Sequence, residues 1–388
     1  MREVALIGSG ITQFGELWDK SLGDLVGEAG ISAIINAGID GTDIDGMYIG
    51  GMSAGRFVGQ EHLGSLATEV AGLSELFIPS MRVEAACASG GLAMHAGFLA
   101  VASGLYDVVV AGGAEKMTDV VGTTATSILA SAASREWEAF FGATFPGLYA
   151  LMARYHMYKY GTTPEQLAEV AVKNHHNGIL NPQAQYHRAI CVEDVLTSTM
   201  VADPLHLLDC SPITDGAAAV VIASLDTARK FTDTPVKIMA SCHASDTLSL
   251  SNRSRFDAVP AAIVAAERAY KQAGVSPHDI DLAEVHDCFT IAEIMAIEDL
   301  GFVEKGKGGT ATEEGLTALN GDIPVNSSGG LKSKGHPVGA TGIAQIHELM
   351  LQLRGEAGER QINDAEIGLS HNVGGSGGTA VIHILGAI

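Results

Sequence analysis

One cysteine, Cys87, closes the apolar run "VEAACASGG" (83–91) and stands directly before a small-residue segment of helical character. A thiol at a helix N-terminus is acidified by the unpaired N–H groups and the positive end of the dipole, which makes it a nucleophile. The same residue also packs well as an inert core side chain. The segment "GGLKSKGHPVGATG" (329–342) supplies it with a partner. His336 precedes Pro337, a residue favoured at the first position of a helix. An imidazole there resists protonation, because the dipole disfavours the cation. A neutral imidazole can take a proton from a thiol or donate to an oxyanion.

Two further segments add to this pair. "EVHDCF" (284–289) places His286, Asp287 and Cys288 in one bend at the end of a predicted strand, where loops line crevices. Cys288 is a second candidate thiol, and Asp287 reads as a turn residue. "SHNVGGSGG" (370–378) offers His371 and Asn372 as polar candidates. Its glycines, Gly374 among them, can aim backbone N–H groups at a developing anion. Other patterns carry less. "GSGITQFG" (8–15) has Gln13 where a dinucleotide loop needs glycine, "NHHNG" (174–178) lacks metal-ligand spacing, and Phe140 and Phe141 read as core or pocket lining. No metal site is expected.

The elements that position these residues are duplicated. "AGIDGTDIDGMYIGGM" (37–52) and "AGVSPHDIDLAEVHDCF" (273–289) align without gaps at an offset of 236, pairing Ala37/Ala273, Gly38/Gly274, Asp43/Asp279, Ile44/Ile280 and Asp45/Asp281. Helical periods over 21–38 and 257–274 precede them. Later, a strand near 80–86, a helix at 88–103 and a strand at 107–113 run parallel to "DIPVNSSGG", "VGATGIAQIHELMLQLRG" and "AEIGLSHNVGGSGGTAVIHIL". These later helices are apolar nearly all round, so they are expected between layers. Two β/α copies imply two mixed sheets with helices between and outside them. The expected organisation is an N-terminal half over 1–117 and 201–230, an inserted lid or loop region over 118–200, and a C-terminal half over 231–388.

Composition bounds the function. The net charge of −22 disfavours nucleic acid or an anionic membrane as partner. No stretch approaches a membrane span, and the N-terminus runs straight into a strand pattern, so a soluble cytoplasmic protein is expected. The five cysteines are scattered without a CxxC pair, which argues against a disulfide framework or a zinc ribbon. Glycine, at 47 of 388, exceeds the usual roughly 7% and points to closely packed helices and tight turns.

Taken together, "ACASGG", "AGGAEKM" (111–117), "GHPVGATG" and "NVGGSGG" resemble the thiolase superfamily over essentially the whole chain. The resemblance implies a five-layered αβαβα thiolase fold and acyl transfer on coenzyme A thioesters, which are substrates, with no further cofactor. His336 with Pro337 resembles thiolases rather than the synthase branches, which place asparagine there. "HDCF" stands where common thiolases carry an asparagine-led motif, and Asn372 stands where their second cysteine sits. Both departures resemble the sterol-carrier-protein-type and archaeal thiolases, where the cysteine of HDCF is the second acid/base.

The implied chemistry is a ping-pong Claisen condensation, or its reversal by thiolysis, between acetyl-CoA and acetoacetyl-CoA, in the mevalonate pathway. Cys87 would be the nucleophile, His336 its base and Cys288 the second acid/base. Oxyanion holes would come from His336 with His286, and from the N–H groups of Cys87 and Gly374. Met117, His371 and Asn372 would line the pocket. The implied partners are acyl-CoA and CoA, a second copy in a homodimer or homotetramer, and a complex with hydroxymethylglutaryl-CoA synthase and a small zinc-ribbon/OB-fold scaffold protein. The alternatives are a thiolase-like aldolase or lyase on a CoA thioester, and a non-catalytic subunit of a complex.

Overall fold

A computed structural model describes residues 2–388. The strands are β1 (Val4–Ile11), β2 (Gly46–Gly50), β3 (Ser80–Val83), β4 (Val108–Glu115), β5 (Met200–Ala202), β6 (Leu205–His206), β7 (Gly216–Ser224), β8 (Val236–Ser245), β9 (Leu282–Glu284), β10 (Ile367–Gly374) and β11 (Thr379–Gly386). Nine of them form one run in the order β3-β2-β4-β7-β1-β8-β11-β10-β9, and β5 and β6 pair separately. The run is nearly palindromic about the β1–β8 junction. The order β2-β4-β7-β1 on one side meets its counterpart β9-β10-β11-β8 on the other. The two sheets expected from sequence are therefore joined, through the pairs Ala5↔Lys237 and Leu6↔Val236.

The duplicated segments adopt duplicated structures. Helix Leu22–Ala37 ends at Gly38 and helix Pro260–Ala273 at Gly274, both glycines in the left-handed conformation that side chains avoid. A 3-10 turn follows each at the same offset. Asp43 bonds the Asp40 N–H in one, and Asp279 bonds the Ser276 N–H in the other.

Layering follows from strands buried on both faces. In β7, Ala217, Ala219 and Val221 face helix Leu22–Ala37, while Ala218, Val220 and Ile222 face a central core. That explains why such strands read as unbroken apolar runs. The central core holds helices Ser89–Ala102 and Thr341–Arg354, and Pro260–Ala273 covers β8 and β11 from outside. Helices and sheets thus alternate in five layers, αβαβα, as the resemblance implies.

The two central helices touch backbone to backbone at their N-termini. A Cβ on Gly342 would lie 2.2 Å from the Gly91 nitrogen, and one on Gly90 would lie 2.7 Å from the Gly339 oxygen. Only glycine permits this approach, which brings the segments carrying Cys87 and His336 together. The helix after His336 starts later than expected. Pro337 opens a preceding turn, its carbonyl accepting from Ala340 and Thr341, and the α-helix begins at Thr341.

Between β4 and β7 the chain makes helices Gly122–Leu129, Phe145–Tyr160, Pro164–Ile179 and Val192–Thr197. Among the described residues no helix is long and apolar enough to cross a membrane.

Candidate active site

Cys87 sits on a sharp turn between β3 and helix Ser89–Ala102. Ala86, just before it, has φ +52°, a left-handed conformation that costs a non-glycine residue about 1–2 kcal/mol. The buried Ser89 hydroxyl holds the turn, accepting from the Ala85 N–H (2.9 Å) and donating to the Ala86 carbonyl (2.6 Å). Strain retained by such bonds is a common property of functional turns.

Cys87, His286 and His336 converge: the thiol sulfur and one ring nitrogen of each histidine lie within 4.8 Å of one another. The imidazole rings stand edge to face, 5.1 Å apart. Cys87, Cys288 and His336 line a cavity of about 140 Å³ together with Met117, Tyr149 and Gly375. Its walls include Phe145, Pro146 and Tyr149 from the inserted region and Cys210–Ile213 from the segment leading into β7.

Burial dominates the electrostatics. The Cys87 thiol is pushed up to about 12 by burial, against which hydrogen bonds from the Gly375 and Cys87 N–H groups act only partly. Burial thus acts against the acidification expected from the helix N-terminus and favours a protonated resting thiol. His336 is held down to about 3 by burial, so it is neutral, as expected, although desolvation is the leading cause. Burial likewise holds His286 well below its ordinary value, with the nearby His336 adding to the effect. Cys288 is raised well above the usual thiol range by burial and by Cys87, opposed by the Tyr149 hydroxyl.

The hydrogen bonds distinguish the two imidazoles. His336 Nδ1 lies 2.7 Å from Thr341 Oγ1, whose own proton goes to the Pro337 carbonyl. The threonine oxygen therefore accepts, Nδ1 carries the proton, and Nε2 is the free base. His286 Nδ1 lies 3.2 Å from Asn372 Nδ2. The Asn372 amide cannot flip without loss, since its oxygen accepts from the Gly91 N–H (3.2 Å) and its nitrogen donates to the Cys87 carbonyl (3.1 Å). An amide NH₂ only donates, so His286 Nδ1 accepts and its proton resides on Nε2. That Nε2 is buried and has no protein partner. The Cys–His–His triangle has metal-ligand proximity, but a ligating histidine ordinarily donates its other nitrogen to an acceptor. Asn372 presents His286 with a donor, which disfavours a metal there.

Some expected residues lie elsewhere. Met117 lines the cavity, whereas His371 and Asn372 pack behind His286, with His371 Nδ1 accepting from the His286 N–H (3.3 Å). Gly374 is still paired in β10, and its Cα approaches the backbone so closely that a Cβ would lie 2.3 Å from the Ala85 oxygen. The chain turns at Gly375 (φ +62°), and the N–H beside the thiol is that of Gly375. Asp287 bonds the N–H groups of Leu331 (2.7 Å) and Lys332 (3.2 Å), fixing the turn that leads into His336. Asp215 bonds Lys116, the N–H groups of Met117 and Thr118, and the Thr118 hydroxyl, fixing the Met117 loop. Tyr149 was missed from sequence. Its hydroxyl donates to the Gly375 carbonyl (3.1 Å) and flanks Cys288, and no local pattern marks it.

Comparison with known proteins accords with this arrangement. The Thiolase, N-terminal domain family model matches residues 4–226, and the Thiolase C-terminal domain-like model matches 242–387. The chain is 60% identical to an "Acetyl-CoA acetyltransferase" of Methanothermobacter thermautotrophicus over 99% of both chains. It is 51% identical to another of that name from Methanocaldococcus jannaschii, again over 99% of both. It is 34% identical to "Sterol carrier protein 2" of Gallus gallus, over 98% of this chain and 71% of that one. A solved structure, "Ltp2-ChsH2(DUF35) aldolase", matches with a TM-score of 0.85 and 28% identity over 99% of this chain and 98% of its own. With two family models spanning nearly its whole length and full-length relatives this similar, the chain belongs to the thiolase family.

Proposed function

We propose that this thiolase condenses two molecules of acetyl-CoA to acetoacetyl-CoA and CoA, and runs the reverse thiolysis, through an acetyl group carried on Cys87. The observation that carries the reading is the convergence of Cys87, His286 and His336 within 4.8 Å, with Cys87, His336 and Cys288 lining a small, largely apolar cavity and His286 set just behind it. About 140 Å³ suits a short acyl chain, and the archaeal relatives' name supports acetyl.

In the first half-reaction the Cys87 sulfur attacks the thioester carbonyl as its proton passes to His336 Nε2. The N–H groups of Cys87 and Gly375 hold the resulting oxyanion. The adduct collapses, the carbon–sulfur bond to CoA breaks, and Cys288 protonates the leaving thiolate. Cys288 is then a thiolate beside a second acetyl-CoA, whose α-proton it removes. The enolate oxygen is met by His286 Nε2–H and by protonated His336. The enolate carbon attacks the Cys87 thioester, and the sulfur that is released recovers its proton from His336. Nothing beyond the coenzyme A thioesters is needed for this sequence.

The associations proposed with this activity are a second copy of the chain in a homodimer or homotetramer, and a cytoplasmic assembly with hydroxymethylglutaryl-CoA synthase and a zinc-ribbon/OB-fold scaffold serving the mevalonate pathway. The solved neighbour's name couples Ltp2 with a second protein, ChsH2(DUF35), which supports a protein partner for this chain. That neighbour is also the observation favouring the second reading, a carbon–carbon lyase that forms no acyl-enzyme.

One experiment separates the two. Wild type and Cys288→Ala are mixed with acetyl-CoA and mapped by peptide mass spectrometry. An acetyl group on Cys87 that persists in the variant but turns over in wild type supports the thiolase sequence. Absence of the adduct from both proteins favours the lyase.

A further inference from the structure

Behind the Cys210–Pro212 segment, which walls the acyl cavity on one side, lies a second cavity of about 440 Å³. The side chain of Lys332 reaches it from the turn Gly330–Lys334. Three lysines in the chain are almost fully buried, and the other two have carboxylate partners. Lys116 (1% exposed) pairs with Asp215 at 2.7 Å and Asp119 at 2.6 Å, and Lys334 (3%) pairs with Glu284 at 3.4 Å and Ser328 Oγ at 2.7 Å. Lys332 is 2% exposed, yet among the described residues its ammonium has no carboxylate within ion-pair distance and no hydrogen-bond acceptor. Buried lysines are rarely left so, because desolvating an ammonium is costly unless an anion compensates it.

The nearby acids are engaged elsewhere. Asp287 accepts from Asn174 and from the Leu331 and Lys332 N–H groups, and Asp209 accepts from Thr290 and the His206 N–H. Asp194, on the cavity wall, caps the Cys191 N–H. Two more groups of the cavity are short of partners. Arg188 on the rim makes no ion pair among the described residues. His175 donates through Nδ1 to the Arg188 carbonyl (2.9 Å), which leaves its Nε2 buried and unpartnered. The Tyr186 ring stacks on His175 at 5.8 Å and lies 5.9 Å from the Lys332 ammonium.

From the unpaired Lys332, the free Arg188 and the open imidazole edge of His175 around one cavity, we infer that this is a binding site for the phosphate group of a small-molecule ligand, distinct from the acyl cavity. Lys332 supplies a point charge and Arg188 a fork of donors suited to phosphate oxygens. His175 Nε2 takes up a proton from the ligand's monoanion or from solvent, leaving the phosphate as the dianion. Burial now holds Lys332 down to about 8 and His175 to about 4, and a bound dianion raises both. The site stands independently of the catalytic reading, since none of its charged groups takes part in acyl transfer.

The test is titration of full-length wild type, Lys332→Met and Arg188→Gln with inorganic phosphate, at constant ionic strength, by calorimetry and by unfolding temperature. The expected result is saturable binding to wild type that raises the unfolding temperature, weakened about tenfold or more in each variant. Methionine keeps the volume of the buried stem, and Arg188 is at the surface, so at least one variant keeps its fold. Phosphate binding that is absent from wild type, or equal in wild type and both folded variants, overturns the inference. Competition by desulfo-CoA, which cannot be acylated, identifies the source. Displacement of phosphate assigns it to the coenzyme's own phosphates, and simultaneous binding to a separate phosphorylated ligand.

Discussion

The imidazoles of His286 and His336, 5.1 Å apart and inclined at 82°, hold their protons on opposite nitrogens. Thr341 accepts from His336 and leaves Nε2 a base, while Asn372 donates to His286 and leaves Nε2–H a donor. In the proposed reaction one ring is thereby prepared to take a proton from a thiol, and the other to meet a developing enolate, before substrate arrives.

This pairing separates the half-reactions. Thr341→Val, which removes the acceptor that orients His336, is expected to slow acetylation of Cys87. Asn372→Ala is expected to lower condensation by on the order of 10²–10³, the usual loss for one oxyanion donor, and to slow acetylation less, through the freed Cys87 carbonyl. Rapid-quench mass spectrometry reads the first step and acetoacetyl-CoA formation the second. Loss of the same step in both variants would contradict the division of roles.

The protonated resting thiol has a kinetic consequence. With Cys87 pushed up to about 12 and His336 held down to about 3, no ion pair forms in the free protein. Alkylation of Cys87 by iodoacetamide should therefore rise about tenfold per pH unit between about pH 6 and pH 9, without a plateau. A plateau near neutrality would reveal a low-pKa thiolate instead.

Acid should destabilise the fold. His95, His175 and His347 are pushed to about 4 by burial, His336, His371 and His383 to about 3, and His286 well below its ordinary value. In the unfolded chain each titrates near 6.5. Between about pH 4 and 6.5 the unfolded chain binds more protons, so stability falls as pH falls, by at most about 1.4 kcal/mol per pH unit for each fully buried ring. Burial raises Glu115 and Asp287 to about 7 and Asp299 to about 6, which acts in the opposite sense but through fewer groups. The urea midpoint is expected to be lower at about pH 5 than at about pH 7.5. Equal midpoints would mean these histidines are not neutral in the fold.

The contact between the central helices gives a stability test. In Gly342→Ala the new Cβ meets the Gly91 nitrogen at 2.2 Å, a backbone atom that cannot move alone. A loss of about 1–3 kcal/mol or more is expected, read from chemical denaturation. Gly355→Ala, at the other end of the same helix, meets no neighbour but sits at φ +73°, so it should lose only about 1–2 kcal/mol through backbone strain. An unaffected Gly342→Ala protein would show that the two helix ends are farther apart.

By itself the sequence determined the repeated helix–turn–strand units, because caps such as Gly38 and Gly274 and acids such as Asp43 and Asp279 act within a few residues of where they stand. It also located Cys87, His286, Cys288 and His336, whose flanking glycines and proline are local signals. Tertiary structure decided what depends on groups far apart in the chain. The joining of the two half-sheets rests on the pairing of β1 with β8. The proton position on His286 depends on Asn372, 86 residues away, and the walls of the acyl cavity depend on Tyr149 from the inserted region. The choice of Gly375 over Gly374 as the donor beside the sulfur depends on where β10 leaves its ladder. The state of the Cys87 thiol followed the same rule. A helix N-terminus visible in sequence argued for an acidified thiol, but desolvation is set by everything packed around the sulfur, and it pushes the thiol up.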